Sequence, residues 1–340
     1  MAMSAAAVTT PPTVSAILLA YNCEHAIGQA LESVLAQECE PMEIIVSDDA
    51  STDGTWDLIE HTTAAYRGPH RVTLRQRDTN SGTKSAHLND VFPLAGGRYL
   101  VSFDGDDISE PGRVSAILAA FRADDSVSAV YSDYSYMKEG GIAGARCGVR
   151  HPPPGTPARR WFARVDTYAA GTTLAVRRDV VEVFGPLEPD INEDVVLPFR
   201  AGLLGEVRYL DEALVRVRRW AGSLTAADER LISMEHYRAW WQRGVARARR
   251  QLESRRADIA TAEQHGLLGP AELEALREIV ATSMAEAEAS SGLVSPSFIE
   301  RLRCFAGQLR PGAHREDLLL GAGLTFAPGL YLRYKRRRRG

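Results

Sequence analysis

The sequence predicts an α/β fold with a mixed, mostly parallel central sheet flanked by helices, followed by a helical C-terminal region. Apolar strand patterns alternate with helical patterns over roughly the first two thirds of the chain, which is typical of βαβ units. Residues 14–20 form a short apolar run, and residues 26–37 then carry apolar side chains at helical spacing. Beyond residue 225 the strand patterns stop.

The alternation sets the expected order of elements. Further strands are predicted at residues 42–47, 71–76, 98–103, 128–137, 171–177 and 210–217, and further helices at 55–66, 85–95, 111–123, 180–184 and 195–204. Residues 140–157 are rich in Gly, Pro and Arg and predict a long mobile loop.

Three segments follow from these patterns. We expect a disordered N-terminus at residues 1–12, an α/β domain at 13–225, and a helical region with a basic tail at 226–340. The helical region is rich in Ala, Arg, Glu and Leu and is interrupted at residues 266–270.

The composition excludes several classes of protein. The 340 residues carry a formal net charge of -4, which argues against a general nucleic-acid binder. The four cysteines are scattered without metal-binding spacing, as in a reduced cytoplasmic protein. The sequence shows neither a secretory signal pattern nor an apolar run of about 18 residues, so we expect no membrane span.

Acidic residues follow two of the predicted strands. Asp48 and Asp49 end one strand, and Asp104, Asp106 and Asp107 follow another. Ligands of parallel sheets bind at the carboxyl ends of strands. Carboxylates there suit Mg²⁺ or Mn²⁺ shared with substrate phosphates. Taken alone, the Asp104 cluster is better explained as a solvated acidic turn or a helix cap. A helix cap also explains Ser51 and one Asp of the other cluster, but it does not explain two carboxylates at a strand end, where like charges repel.

An ordered series of motifs covers roughly residues 13–225. It comprises the strand and turn at 14–22, the helix at 30–37, Glu43 to Thr55 with its Asp-Asp pair, Asn80-Ser-Gly82, Phe103-Asp-Gly-Asp-Asp107, Gly185, Asn192-Glu-Asp194 and the segment 218–225. The order of the motifs makes the series far more specific than any one motif. The series resembles the family 2 glycosyltransferases of GT-A fold.

This resemblance implies a nucleotide diphosphate-sugar donor. It places Ala20, Tyr21 and Asp49 near the base and ribose, with Asp48 supporting the turn, and Lys84 near the diphosphate. Packing at the strand end is the alternative for Tyr21, and a solvated surface side chain is the alternative for Lys84. The implied donor-binding residues are Ala20, Tyr21, Asn22, Asp48, Asp49, Asn80, Gly82, Lys84, Asp104, Gly105, Arg218 and Arg219. UDP is the favoured nucleotide, and dTDP and GDP stay open.

The resemblance also implies metal-dependent, inverting catalysis. Asp106 and Asp104 would hold Mn²⁺ or Mg²⁺, and Asp107 would help to position the metal or the sugar. Asp194 is the candidate general base, and Glu193 is the alternative. Without the other motifs, capping of a helix N-terminus is the better explanation of these two acids, and with the other motifs catalysis is.

Two departures qualify the resemblance. Trp220 stands where a His often helps to bind metal or diphosphate, and an indole is not a metal ligand. The Gln-x-x-Arg-Trp signature of processive synthases is absent from the sequence, which favours transfer of single sugars.

The C-terminal sequence combines apolar residues from 318 onward with the basic run Lys335 to Arg339. This pattern predicts either a solvated tail or a peripheral anchor on an anionic membrane surface, in which each basic residue contributes about 1 kcal/mol. An anchor would indicate a lipid-linked or glycan acceptor and a role in cell-surface glycan synthesis at the inner face of the membrane. A homo-oligomer is compatible with the sequence.

Three rival functions differ in what they require. A nicotinamide-dependent Rossmann enzyme needs GxGxxG after the first strand, where residues 21–24 read Tyr-Asn-Cys-Glu. A nucleotidyltransferase would release pyrophosphate, and a catalytically degenerate sugar-nucleotide-binding protein would bind donor without turnover.

Overall fold

A mixed sheet of nine strands forms the centre of the protein. The computed structural model describes residues 11–137, 142–165, 167–219, 234–291 and 302. Within these residues the strands are β1 (Val14–Ala20), β2 (Glu43–Asp48), β3 (Arg71–Gln76), β4 (Tyr99–Asp104), β5 (Ile108–Ser109), β6 (Val127–Met137), β7 (Ala143–Cys147), β8 (Ala175–Arg177) and β9 (Glu206–Val217). They lie in the order β3-β2-β1-β4-β8-β6-β9-β5, with β7 paired to β6.

Helices follow most of the strands. They are α1 (Ile27–Leu35), α2 (Thr55–Ala65), α3 (Lys84–Val91), α4 (Arg113–Ala123), α5 (Ala158–Phe162), α6 (Asp179–Phe184), α7 (Glu193–Leu204), α8 (Met234–Gln264) and α9 (Pro270–Ser291). Strands with helices after them confirm the α/β fold and the helical C-terminal region that the sequence predicts.

The parallel half of the sheet brings the acidic segments together. β1 pairs in parallel with both β2 and β4, so that Ala20 lies opposite Asp48 and Leu19 lies opposite Asp104. β2 also pairs in parallel with β3. The carboxyl ends of β1, β2 and β4 therefore lie side by side at one edge of the sheet.

The core explains why this edge is well defined. Every residue of β1 and β2 is buried, and the apolar faces of α1 and α4 pack in the same hydrophobic cluster. Burying a large aliphatic side chain contributes about 1.5–3 kcal/mol. Two fully buried central strands thus hold the turns after them in fixed positions.

The predicted mobile loop at residues 140–157 is wrong in part. Within it β7 pairs antiparallel with β6, and Tyr134 lies opposite Cys147. Arg146 bonds from β7 to the buried carboxylate of Asp133 and to Asp211. The pairing arises from these long-range contacts, which the local Gly, Pro and Arg composition conceals.

Smaller differences concern short elements. The predicted strand at residues 171–177 is a 3₁₀ turn, Gly171–Thr173, followed by the three-residue strand β8. The short elements β5 and α5 lie where no element was predicted. Such short segments carry too few residues to show a period of their own.

The C-terminal helices form an antiparallel pair. The indole Nε1 of Trp241, near the start of α8, donates to the carbonyl of Ser290, near the end of α9. Most of α8 and all of α9 belong to a second compact unit, separate from the one that contains the sheet. None of the described helices combines the length and apolarity needed to cross a bilayer.

Some predictions concern residues outside those that the structure describes. They are Trp220, the basic tail and the N-terminal segment 1–10. The domain boundary at residue 225 also falls among them and stays a prediction.

Substituting Gly97 with Ala should destabilise the sheet. A Cβ at position 97 would lie 2.4 Å from the backbone nitrogen of Ser15, which cannot move without distorting β1. We expect the free energy of unfolding to fall by about 1–3 kcal/mol in urea denaturation. Gly28→Ala is the matched control, since nothing lies within 4 Å of its Cβ and Ala favours a helix by up to about 1 kcal/mol. Equal stabilities for the two variants would contradict the close approach.

Candidate functional site

The turn after β2 is built by Asp48. Its buried carboxylate accepts hydrogen bonds from the backbone nitrogen and the hydroxyl of Ser51. Ala50, within this turn, has a φ of 59°, in the left-handed region. Side chains of Asp commonly stabilise such turns by bonding to the backbone a few residues on. Asp48 therefore supports the turn, as the resemblance implies.

Asn22, in the turn after β1, forms hydrogen bonds with the turn after β2. The backbone nitrogen of Asn22 donates to the Ser51 hydroxyl at 2.9 Å, and its side-chain oxygen accepts from the Thr52 backbone at 2.8 Å. Asn22 has a φ of 45°, which Asn tolerates better than most residues. Next to it, Tyr21 is 50% exposed at the end of β1.

Asp49 organises the loop at residues 80–82. Its buried carboxylate accepts from the Ser81 nitrogen at 2.9 Å and from Asn80 at 3.1 Å, and it pairs with Arg77 at 3.1 Å. In the same loop, Asn80 Oδ1 accepts from the nitrogen of Gly82, whose φ is 84°. These bonds give the Asn-Ser-Gly motif a structural explanation. The contact of Asp49 with a base stays a prediction.

Gly105 lets the acidic loop after β4 lie against β1. The Gly105 nitrogen donates to the carbonyl of Leu19 at 2.9 Å. A Cβ at position 105 would lie 2.9 Å from that same oxygen and 3.2 Å from the Cα of Ala20. A glycine is required here because the two backbones are in contact.

Arg218 fastens the end of β9 to the acidic loop. Its backbone nitrogen donates to Asp107 Oδ1 at 2.9 Å, and its Nε donates to the carbonyl of Asp106 at 3.1 Å. Burial, together with the nearby charges of Asp104 and Asp106, raises the pKa of Asp107 to about 8. The guanidinium of Arg219 instead packs over the ring of Tyr136, 3.7 Å from its centroid.

Lys84 joins two parts of the site. Its Nζ lies 2.6 Å from Asp104 Oδ1 at the end of β4 and 2.8 Å from Glu193 Oε1 at the start of α7. Burial lowers the pKa of Lys84, but the carboxylates of Asp104 and Glu193 outweigh it and raise the pKa above its usual range. Lys84 is therefore a permanent cation between two carboxylates.

Glu193 and Asp194 have different surroundings despite being neighbours. Glu193 is buried and uses Oε1 to bind Lys84. Asp194 is only partly buried as a whole, but its Oδ1 is fully buried and has no hydrogen-bond partner. Burial and the charge of Glu193, partly opposed by Lys84, together raise the pKa of Asp194 to about 8. An unsatisfied buried carboxylate oxygen is costly, which favours a role toward a ligand.

Gly171 and Arg113 also shape the site, and the sequence patterns did not single out either residue. A Cβ at Gly171 would lie 2.4 Å from Glu193 Oε1, so this glycine leaves room for the carboxylate that holds Lys84. Arg113 is fully buried, 4.4 Å from the ring centroid of Phe103, and donates to the carbonyl of Ser102. The nearby charges of Asp104 and Asp107 stabilise its buried guanidinium. An Arg at the start of a helix is usually exposed, so the sequence does not indicate that Arg113 is buried.

The donor set fits a divalent metal that shares its coordination with a substrate. The described residues contain no group of three or more His, Cys, Asp and Glu side chains placed to hold a metal. Asp104 and Asp106 nevertheless put two carboxylates on one loop, and their charges raise the pKa of Asp107. Mg²⁺ typically binds through one or two carboxylates together with substrate phosphates. Two carboxylates suit a metal that is also coordinated by substrate phosphates, rather than a metal coordinated by protein side chains alone.

Comparison with known proteins identifies the family. The sequence model of glycosyl transferase family 2 matches residues 15–185, half of the chain. The chain belongs to glycosyl transferase family 2.

Curated relatives agree with the family assignment. EpsE of Bacillus subtilis (strain 168) is 36% identical over 148 residues, which are 44% of this chain and 52% of EpsE. The UDP-Glc:alpha-D-GlcNAc-diphosphoundecaprenol beta-1,3-glucosyltransferase WfaP of Escherichia coli is 34% identical over 131 residues, 38% of this chain and 49% of WfaP. The matches to this family 2 chain thus span about half the length of these relatives.

Solved structures share the fold of this family 2 chain. S. aureus TarS 1-349 in complex with UDP-GlcNAc superposes with a TM-score of 0.55 at 18% identity, covering 87% of this chain and 79% of TarS. The mannosyltransferase PcManGT from Pyrobaculum calidifontis, in complex with GDP-Man and Mn2+, superposes with a TM-score of 0.55 at 19% identity, covering 97% of this chain and 84% of PcManGT. These likenesses confirm the GT-A fold.

Substituting Asp194 with Asn should change how stability depends on pH. The folded protein holds the Asp194 proton up to about pH 8, whereas an unfolded chain releases it near pH 3.9. Between these values unfolding releases a proton, so the free energy of unfolding falls as pH rises. Asn cannot titrate. We expect Asp194→Asn to gain about 1–3 kcal/mol relative to wild type between pH 5 and 8 in urea denaturation. Parallel pH profiles for both proteins would contradict the raised pKa.

Proposed function

We propose that this chain transfers a sugar from a nucleotide diphosphate-sugar to an acceptor hydroxyl, with inversion at the anomeric carbon. The observation that carries the proposal is the carboxylate of Asp194, whose buried oxygen lacks a hydrogen-bond donor. It stands next in sequence to Glu193, which Lys84 ties to Asp104 at the end of β4. These contacts connect the segment that carries Asp194 to the acidic loop through a single cation, which supports the proposal.

The donor nucleotide is assigned to the turns after β1 and β2. The exposed ring of Tyr21 offers a surface on which a base can stack. Asp49 holds the loop of Asn80 and Gly82 beside that position. UDP is favoured, because TarS is in complex with UDP-GlcNAc and the name of WfaP specifies UDP-Glc. GDP and dTDP remain alternatives.

The diphosphate is assigned to the loop after β4. Asp106 and Asp104 would hold Mn²⁺ or Mg²⁺, which would neutralise the negative charge that develops on the departing diphosphate. Lys84 and Arg218 contact this same loop and add positive charge beside it. Arg219, which packs over the ring of Tyr136, is the second cation that the resemblance assigns to the diphosphate.

Asp194 is assigned as the general base. Its carboxylate takes the proton of the acceptor hydroxyl while that oxygen forms a bond to the anomeric carbon. The bond from the anomeric carbon to the diphosphate oxygen breaks, and the nucleoside diphosphate leaves with the electron pair. A base with a pKa near the working pH suits this task. Glu193 is less suitable, because it is engaged with Lys84.

The setting assigned to the reaction is cell-surface glycan synthesis. The name of WfaP describes transfer to a diphosphoundecaprenol-linked sugar, which supports a glycan or lipid-linked acceptor for this chain. Contact of the basic tail with the inner face of the membrane is proposed from its sequence alone.

Asp194→Asn should abolish transfer while the donor still binds. Asn keeps the size of the side chain but cannot accept the proton, and loss of a general base typically costs about 10²–10⁴-fold in rate. The measurement is release of nucleoside diphosphate from UDP-sugars, with UDP binding followed by calorimetry. Full activity in Asp194→Asn together with an inactive Glu193→Gln would reverse the assignment of the base. Release of pyrophosphate would indicate a nucleotidyltransferase, and binding without release a degenerate protein.

Asp106→Ala should remove the effect of Mn²⁺ on donor binding. Without this carboxylate the metal loses a ligand that is not replaced by substrate phosphates. We expect Mn²⁺ to raise the affinity of wild type for UDP in calorimetry and to leave that of Asp106→Ala unchanged. Asp125→Ala is the control, because its side chain is 96% exposed before β6, away from the carboxyl ends of the strands. A similar Mn²⁺ effect in all three proteins would contradict the metal site.

A further inference from the structure

Three tyrosines lie beside the candidate base and have no role in the proposed donor site. Tyr134 and Tyr136, near the end of β6, pack edge to face with ring centroids 5.5 Å apart. Tyr168, in the segment before the Gly171 turn, is 52% exposed. We call Tyr134, Tyr136 and Tyr168 the tyrosine cluster.

Backbone contacts join the cluster to the site from two directions. The nitrogen of Ala169 donates to the carbonyl of Asp194 at 3.0 Å, which places Tyr168 next to the candidate base. On the other side, Arg218 bonds to Asp107, and the adjacent Arg219 bonds to the hydroxyl of Tyr136 at 2.6 Å. The cluster is therefore linked both to the acidic loop and to the backbone of Asp194.

Hydrogen bonds and ring contacts fix the positions of Tyr134 and Tyr136. Arg219 both donates to the Tyr136 hydroxyl and packs over its ring, while the hydroxyls of Tyr134 and Tyr136 lie 3.4 Å apart. Burial and the hydrogen bond with Tyr136 raise the pKa of Tyr134 above its usual range, and the phenol of Tyr168 adds a smaller contribution. Fixed rings lose little conformational entropy when they bind a partner.

The chemistry of this surface fits a sugar ring. Tyrosine offers an apolar face together with a polar hydroxyl, and a pyranose presents apolar C–H groups on its faces and hydroxyls around its rim. Binding sites typically combine aromatic walls with a few well-placed polar groups. A bare lipid chain would leave the Arg219 guanidinium and the tyrosine hydroxyls without partners when they lose water.

We propose that the tyrosine cluster is the acceptor subsite and that the acceptor presents a pyranose ring to it. The ring stacks on the exposed Tyr168, and its nucleophilic hydroxyl reaches the carboxylate of Asp194. The inference rests on the proposed function, since it names the acceptor class for that reaction.

Binding of simple glycosides to Tyr168 variants tests the proposal without a known acceptor. The probes are methyl glycosides of glucose, galactose, mannose, rhamnose, N-acetylglucosamine and N-acetylgalactosamine, followed by saturation-transfer NMR on the full chain with UDP and Mn²⁺. We expect at least one glycoside to bind wild type and to bind Tyr168→Ala about 10-fold more weakly. Tyr168→Phe, which keeps the ring, should bind as wild type does.

Leu94→Ala is the control for loss of an exposed apolar side chain, because Leu94 is 51% exposed in the turn after α3. It should bind the glycoside as wild type does. The proposal is overturned if no glycoside binds wild type, or if Tyr168→Ala binds as tightly as Tyr168→Phe. UDP signals in the same spectra test the donor site, so its failure is distinguishable from failure of the acceptor subsite.

Discussion

The ion pairs of Lys84 are the interaction on which the site depends. A single ammonium group lies between Asp104, at the end of β4, and Glu193, at the start of α7. Without it, two carboxylates would face each other in a partly buried position, and removing one partner of a buried ion pair commonly costs about 3–5 kcal/mol. Lys84 thereby ties the parallel half of the sheet to the helix that carries Asp194.

The ion pair with Lys84 gives the adjacent acids Glu193 and Asp194 different roles. Because Glu193 holds Lys84, its charge is compensated and its position is fixed, and Gly171 leaves the room that its carboxylate needs. Asp194 has no such cation in hydrogen-bond contact with its buried Oδ1, and burial beside Glu193 raises its pKa. Glu193 therefore has a structural role, while Asp194 is able to accept a proton.

Long apolar patterns made the fold predictable, whereas contacts between distant segments could not be predicted from the sequence. The bounds of β1 and β3 match the sequence prediction. Both strands can be recognised from the residues within them and at their ends, without knowledge of distant contacts. The acidic residues after β2 and β4 were found because parallel strands bring their ends together. The pairing of β7, the burial of Arg113 and the contact of Gly171 with Glu193 depend on residues far away in sequence, which a local pattern cannot record.

A crystal structure of the protein with UDP and Mn²⁺ would test the central claim most directly. The account predicts diphosphate density at the loop of Asp104 and Asp106, with Lys84 still bound to Glu193 and the Asp194 carboxylate open toward the tyrosine cluster. A diphosphate bound elsewhere, or an Asp194 carboxylate closed onto Lys84 in place of Glu193, would contradict it.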